Sequence, residues 1–461
     1  MDAPAHVLVF PWPLQGHINC MLHLTAALLD AGFRVTFLHT EHNLSRLARA
    51  ALPPGLRLLS VPDGLPDDHP RSVRSLKELT ESMFTTGSAA YRALLLSLRS
   101  DSDAPPLTCV IADGIMPFAV DIAEELGVPA LAFRTASACS YLAYLSVPTL
   151  VELGEVPFPA DDPVRGVPGM EGFLRRRDLP RGVGRSEDGA FDPMLLAIAE
   201  GIAHAGKARA LILNTAASME GPALARIAPH MRDLFAIGPL HAEHDAAASL
   251  WSEDDSCMAW LDGHGDRSVV YVSLGSLAVI SHEQFTEFLA GLVATGYAFL
   301  WVLRPDMVKT TGSVLREAVK EAGSKARVVE WAPQRGVLRH RAVGCFLTHG
   351  GWNSTLEAAA EGVPMVCWPF FADQQINSRF VGAVWRTGLD MKDLCNRAIV
   401  QGKVREAMES GELRGRAHAM AQQLKLDVAV GGSSSSDLER LVGFIRELRA
   451  REPMSYDDVS Q

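Results

Sequence analysis

Short runs of β-branched and apolar residues alternate with stretches of helical spacing, twice over, and this pattern restricts the chain more than any other feature. Strands that alternate with crossover helices form parallel sheets covered on both faces. The first series opens with strand His6–Phe10 and the loop Pro11–Asn19. A helix follows, with Met21, Leu22, Leu24, Ala27, Leu28 and Ala31 as its buried stripe and Gly32 as its stop. Strands are expected at Arg34–His39, Thr108–Ala112, Pro129–Phe133 and Ala210–Asn214, with a helix over Pro117–Leu126. Val156–Asp192, rich in Pro, Gly and Arg, reads as an irregular excursion that lines a pocket. From Gly238 to Cys257 the periodicity lapses, as expected of a linker.

The second series contains strands Ser268–Leu274, Ala298–Arg304, Arg327–Trp331, Gly344–Thr348 and Pro364–Pro369, with helices His282–Gly296 and Asn353–Glu361. The chain ends in a helical stretch, Asp437–Ala450, and a polar tail. The expected organisation is therefore an α/β protein with two doubly wound, Rossmann-like domains. They span residues 1–240 and 257–436, joined by a linker at 241–256, with 437–461 returning to the first domain. The crevice between such halves is the natural ligand site.

Composition narrows the partners. Of 461 residues, 48% are hydrophobic, enough for sizeable cores and too many for a disordered chain. The 43 Lys and Arg against 54 Asp and Glu leave a net charge of -11, which disfavours non-specific attraction to nucleic acid or anionic membrane. Seven scattered cysteines (Cys20, Cys109, Cys139, Cys257, Cys345, Cys367 and Cys395) lack the pairing of a metal knuckle or disulfide scaffold and read as reduced core thiols. No run approaches the ~20 apolar residues of a spanning helix, and the start lacks a signal-peptide pattern. A cytoplasmic protein is the expectation, with a monomer as the default and the oligomeric state open.

The turn after the first strand, Pro11-Trp-Pro-Leu-Gln-Gly-His17, holds a single glycine, and neither GxGxxG nor GxxxxGK[ST] occurs in the chain. Hydride transfer and P-loop hydrolysis lose ground accordingly. The phosphate candidate is His349-Gly350-Gly351-Trp352-Asn353-Ser354, where a strand runs into a helix and free N–H groups face an anion. Taken alone, the same residues also suit a plain tight turn with Asn353 or Ser354 as the helix cap.

The flanks decide between them. From Trp331 to Gln374 the sequence is WAPQRGVLRHRAVGCFLTHGGWNSTLEAAAEGVPMVCWPFFADQ, which closely resembles the signature box of plant family-1 UDP-sugar glycosyltransferases. The likeness extends through FPWPLQGHINCMLHLTAALLDAGFRVTFLHTEHN, IADGIMPFAVDIAEELGVPALAFRTASA, YVSLGSLAVIS and GLDMKD. It implies a GT-B fold, with UDP-sugar on the second domain and the acceptor on the first. By this resemblance Trp331 stacks on uracil, Gln334 and Glu357 meet the ribose hydroxyls, and His349, Asn353 and Ser354 hold the diphosphate. Trp352, Asp373 and Gln374 would contact the sugar, with Gly16, Ala332 and Gly351 beside the donor. A terminal Gln in the box goes with glucose in this family, so Gln374 points to UDP-glucose. Ser276 matches a further phosphate contact, and a strand-end turn serves equally well as its explanation.

Sugar transfer to an alcohol needs a base at the acceptor oxygen and a means to hold charge on the leaving diphosphate. His17 occupies the position of the family's catalytic histidine, and Asp113 ends the strand expected at Thr108–Ala112, so both sit at C-terminal strand ends of one sheet. Asp113 would take the Nδ1 proton of His17 and leave Nε2 as general base. Attack opposite UDP inverts the anomeric centre. Thr135 matches a donor contact. No metal or cofactor is expected, since a helix N-terminus can stabilise the leaving group. Cys20 stands where the family commonly has Pro, a change expected to affect only the helix start.

For the acceptor, Trp12, Leu14, Met83, Phe84, Met116, Phe118, Tyr141 and Leu195 suit a flat or bulky apolar molecule, such as a phenol, flavonoid or terpenoid. Most of these side chains serve equally well as core. Alternatives at this point are transfer to carboxylic acids to give glucose esters, a nucleotide-sugar epimerase or dehydrogenase, and a non-catalytic UDP-sugar binder.

Overall fold

A computed structural model describes residues 4–46, 53–71, 75–100, 105–155, 161–180, 193–243, 253–304, 307, 323–392 and 394–450. The polar tail, much of the linker, and residues 156–160 and 181–192 of the Pro- and Gly-rich excursion lie outside them.

Thirteen strands form two parallel sheets among the described residues. In the first, β1 (His6–Phe10), β2 (Arg34–Thr40), β3 (Leu56–Val61), β4 (Cys109–Asp113), β5 (Ala130–Arg134), β6 (Leu211–Leu213) and β7 (Leu234–Ala236) lie in the order β3-β2-β1-β4-β5-β6-β7. In the second, β8 (Val269–Ser273), β9 (Ala298–Val302), β10 (Ala326–Val329), β11 (Val343–Thr348), β12 (Met365–Cys367) and β13 (Gly388–Asp390) lie in the order β10-β9-β8-β11-β12-β13. Each sheet reverses its winding once, between β1 and β4 and between β8 and β11. Ligands of such sheets bind beyond the strand ends at that point.

Register sets the two reversal points level with their neighbours. Phe10 pairs with Ala112, and Ala112 with Ala132, so the loops after β1, β4 and β5 emerge side by side. Thr348 pairs with both Ser273 and Cys367 in the second sheet. Strand residues alternate between faces. On one face of the first sheet Val7, Val9, Ile111, Leu131 and Phe133 pack with helix Gln15–Asp30; on the other, Leu8, Phe10, Val110, Ala112 and Ala132 pack with helices Pro117–Glu125, Ala138–Leu145 and Pro193–His204.

The last helix, Ser433–Ala450, joins the first of those faces through Leu441 and Ile445, both fully buried. Each such side chain contributes about 1.5–3 kcal/mol of burial free energy. Asp437 accepts a hydrogen bond from the backbone N–H of Ala236 (2.9 Å), and Ser434 donates one to the carbonyl of Gly238 (2.6 Å). Strands β3, β7 and β13 escape a reading of the sequence. They are edge strands, and each leaves some of its residues half-exposed, which blunts the apolar run that marks the interior strands.

Candidate active site in the interdomain cleft

The sheet ends face each other across a cavity of about 1530 Å³ that both domains line. On the first domain, His17 lies in the opening turn of helix Gln15–Asp30, and Asp113 closes β4 on the other side of the winding reversal. Their side chains meet: His17 Nδ1 is 2.6 Å from Asp113 Oδ2. Asp113 has no exposed surface, whereas about a quarter of the His17 side chain is open. Backbone N–H groups of Trp12 and Ile115 also reach the Asp113 carboxylate (both 3.3 Å). Burial pushes the Asp113 carboxyl up, but His17, Arg134 and the hydrogen bonds outweigh it and hold the group below the usual carboxylate range. An ionised carboxylate only accepts, so Nδ1 carries the hydrogen in this contact. The Thr135 hydroxyl lies 3.0 Å from the same Nδ1.

On the second domain, β11 ends at Thr348 and the chain turns through His349 and two glycines into helix Trp352–Glu361. Gly350 has a φ of 77°, a conformation that favours glycine. A Cβ on Gly351 would stand 2.4 Å from His349 Nε2, and one on Gly275, in the loop after β8, 2.5 Å from the same atom. The ring of His349 is thus fitted between two glycines. Burial, with the Arg304 guanidinium, lowers its pKa to about 4 and keeps it neutral at pH 7. No side chain caps the helix, so the first-turn N–H groups remain for an anion. Arg304 holds the Ser276 loop from below by donating to the carbonyls of Gly275 (2.8 Å) and Ala278 (3.0 Å).

Beside this cradle, Gln334 donates through Nε2 to Ser354 Oγ (3.0 Å) and Glu357 Oε2 (2.6 Å) and accepts from the Tyr271 hydroxyl (3.1 Å). Burial raises the Glu357 pKa to about 7. Gln374 accepts two backbone hydrogen bonds through Oε1, from Phe370 (2.8 Å) and Phe371 (3.2 Å), which directs its amide donors away from that loop. Asp373 follows Ala372, whose φ of 55° is strained for a residue with a side chain. Asp373 accepts from Asn377 Nδ2 (2.9 Å), and burial raises its pKa.

The cavity gathers every residue that the resemblance places at the donor: Gly16, Thr135, Ser276, Trp331, Ala332, Gln334, His349, Gly351, Trp352, Asn353, Ser354, Glu357, Asp373 and Gln374. Two of them also serve the domain seam. The Trp352 indole N–H donates to the Asn214 carbonyl (2.8 Å), and Asn353 Nδ2 donates to the Gly16 carbonyl (2.7 Å). Ser137 and Asn377 join the domains again at 2.9 Å. Cys20 reaches the cavity wall, but burial lifts its thiol to about 12, and its sulfur accepts from Asn214 Nδ2 (3.2 Å).

The acceptor expectations divide. Trp12, Leu14 and Phe84 line the cavity. Met83, Met116, Tyr141 and Leu195 instead pack in the hydrophobic core, and Phe118 packs against it edge-on to Phe84 and Phe10. The wall is completed by Ile115, Pro117, Tyr144, Ala197, Ile198 and Ile202, close neighbours along the same chain segments. Arg134, Tyr271 and Arg304 also belong to the site. Of these, Arg134 and Arg304 carried a visible signal, a charged residue ending an apolar strand.

Comparison with known proteins fits this geometry. Residues 201–408 match the family model "UDP-glucoronosyl and UDP-glucosyl transferase". The chain is 45% identical to 7-deoxyloganetic acid glucosyl transferase of Catharanthus roseus, over 97% of this chain and 98% of that one. It is also 45% identical to a myricetin 3-O-rhamnoside 1,2-glucosyltransferase of Crocosmia x crocosmiiflora, over 97% of both. Among solved structures, Os79 from O. sativa in complex with UDP superposes with a TM-score of 0.82 at 27% identity, over 95% of this chain and all of that one. The chain belongs to the plant family-1 UDP-glycosyltransferases, enzymes of GT-B fold that take a UDP-sugar donor and a small acceptor. No helix of the described residues is long and apolar enough to cross a membrane.

Proposed function

We propose that the enzyme transfers glucose from UDP-glucose to a hydroxyl of a small, largely apolar plant metabolite, with inversion to a β-glucoside. The observation that carries this reading is the 2.6 Å contact between His17 Nδ1 and the fully buried Asp113, with the other ring nitrogen free to face the cavity. His17 Nε2 takes the acceptor proton as the oxygen attacks the anomeric carbon. Asp113 offsets the imidazolium that forms, so the base acts without moving a second proton. The uncapped start of helix Trp352–Glu361 and neutral His349 receive the charge that develops on the departing diphosphate. The Gln374 amide donors support glucose as the sugar, and the apolar wall from Trp12 to Ile202 supports a phenolic or terpenoid acceptor. The donor box needs no bound metal in this scheme.

The test is incubation with UDP-glucose and a panel of hydroxylated plant metabolites, read by mass for the gain of one hexose. His17→Ala is expected to lower kcat by about 10²–10⁴-fold. Transfer by that variant at the wild-type rate defeats the mechanism, and a preference for UDP-galactose at equal concentration defeats the donor assignment.

A further inference from the structure

Arg134 ends β5 in the corner where the two substrates meet, and it has no counterpart. Its strand alternates, so it shares the face of Ala132 that builds the acceptor-side layer. Its stem lies flat over Gly114, where a Cβ would come within 2.6 Å of Cδ. The residue is only 4% exposed, yet it lines the cavity. Nε and Nη1 are buried without a hydrogen-bond partner among the described residues. Asp113 on one side and Asp373 on the other feel its charge, but neither bonds it. A buried guanidinium without a bonded partner is costly unless a ligand completes it. The planar fork of Arg matches a carboxylate.

We propose that Arg134 is the recognition group for a carboxylate carried by a substrate, at the junction of the donor sugar and the acceptor. The inference rests on the glycosyl-transfer reading above and deepens it by naming a chemical class; an acidic acceptor keeps the glucose assignment, whereas an acidic sugar replaces it. The carboxylate has two sources: an acidic acceptor whose hydroxyl faces His17, or an acidic sugar on UDP.

Two arms separate them, each run with wild type and Arg134→Met. In the first, 2-, 3- and 4-hydroxybenzoate compete with their methyl esters for UDP-glucose. In the second, UDP-glucuronate competes with UDP-glucose for the esters. In one arm the wild type is expected to favour the acid, and R134M to shift kcat/KM at least tenfold from the acid toward its neutral partner. The arm that responds names the source. R134M is expected to melt no lower than wild type, because an apolar side chain replaces an unpaired buried charge. Arg134→Lys, which keeps charge but loses the fork, should fall between. Equal loss on acids and neutral partners in both arms overturns the proposal and makes Arg134 a positioning residue for Asp113. A base-labile glucose ester as the product in the first arm also overturns it, since the carboxylate would then face His17. If no hexose is transferred at all, the glucosyltransferase reading fails by itself. Calorimetric titration of the UDP-loaded protein with 3-hydroxybenzoate then decides the carboxylate site: binding lost in R134M supports it, and no binding by wild type overturns it.

Discussion

The second domain supplies most of its wall of the cleft from one stretch of chain, Trp331 to Gln374, whereas the first domain gathers its wall from segments scattered between Trp12 and Asn214. Polar groups of the contiguous wall hold one another, Gln334 to Ser354 and Glu357 and backbone N–H groups to Gln374, and Tyr271 of β8 bonds Gln334 from behind. The scattered wall mixes apolar with polar side chains and has few mutual bonds apart from the His17, Asp113 and Thr135 corner. A nucleotide is a fixed polar shape and rewards preorganised donors and acceptors. An apolar acceptor is held chiefly by the fit of the wall, with a few polar groups to orient it, and separate helices can alter that fit independently.

If the walls divide the labour in this way, substitutions should sort by kinetic constant. The largest effect is expected in the reacting corner. Asp113→Asn should reduce kcat by about 10²-fold or more while leaving donor affinity within a fewfold, checked by steady-state rates and UDP titration. An equal rise in donor Kd would break the comparison.

Next comes the seam that aligns the walls. Asn377 is buried and bonds Ser137, Asp373 and the Gly350 carbonyl, so Asn377→Ala should lower stability by about 1–3 kcal/mol, measured by denaturant unfolding.

The donor wall predicts a pH dependence. With the Glu357 pKa raised to about 7, the carboxylate proposed for the ribose hydroxyls is mostly protonated at pH 6 and mostly ionised at pH 8. Apparent donor affinity should therefore rise about tenfold from pH 6 to pH 8, and Glu357→Gln should flatten the profile. An affinity that falls over this range would show the neutral acid to be the binding form.

The smallest effect belongs to the acceptor wall. Ile198→Phe should change relative kcat/KM among acceptors by roughly tenfold or less, within the range one pocket contact gives, with the donor KM steady.

The same contrast explains what the sequence made legible. The donor wall lies in one box whose spacing could be read, and all of its residues reach the cavity. Asp113 was legible because it ends a strand beside the winding reversal, and His17 because the turn from β1 into the first helix resembles the family's pattern. The acceptor wall was not. Leu195 and Ile198 share one helix and one apolar stripe, yet Leu195 packs inward and Ile198 faces the cavity. Tyr141 and Tyr144 divide likewise. One turn of helix separates core from pocket, and hydrophobicity does not register the difference.

The return of the last helix has a mechanical consequence. The chain leaves the first domain after Gly238 and comes back at Ser434, and the two passages are tied where Ser434 and Asp437 bond the backbone at Gly238 and Ala236. Both connections between the halves are thus anchored at one corner of the first domain, so a substitution there would disturb the two together.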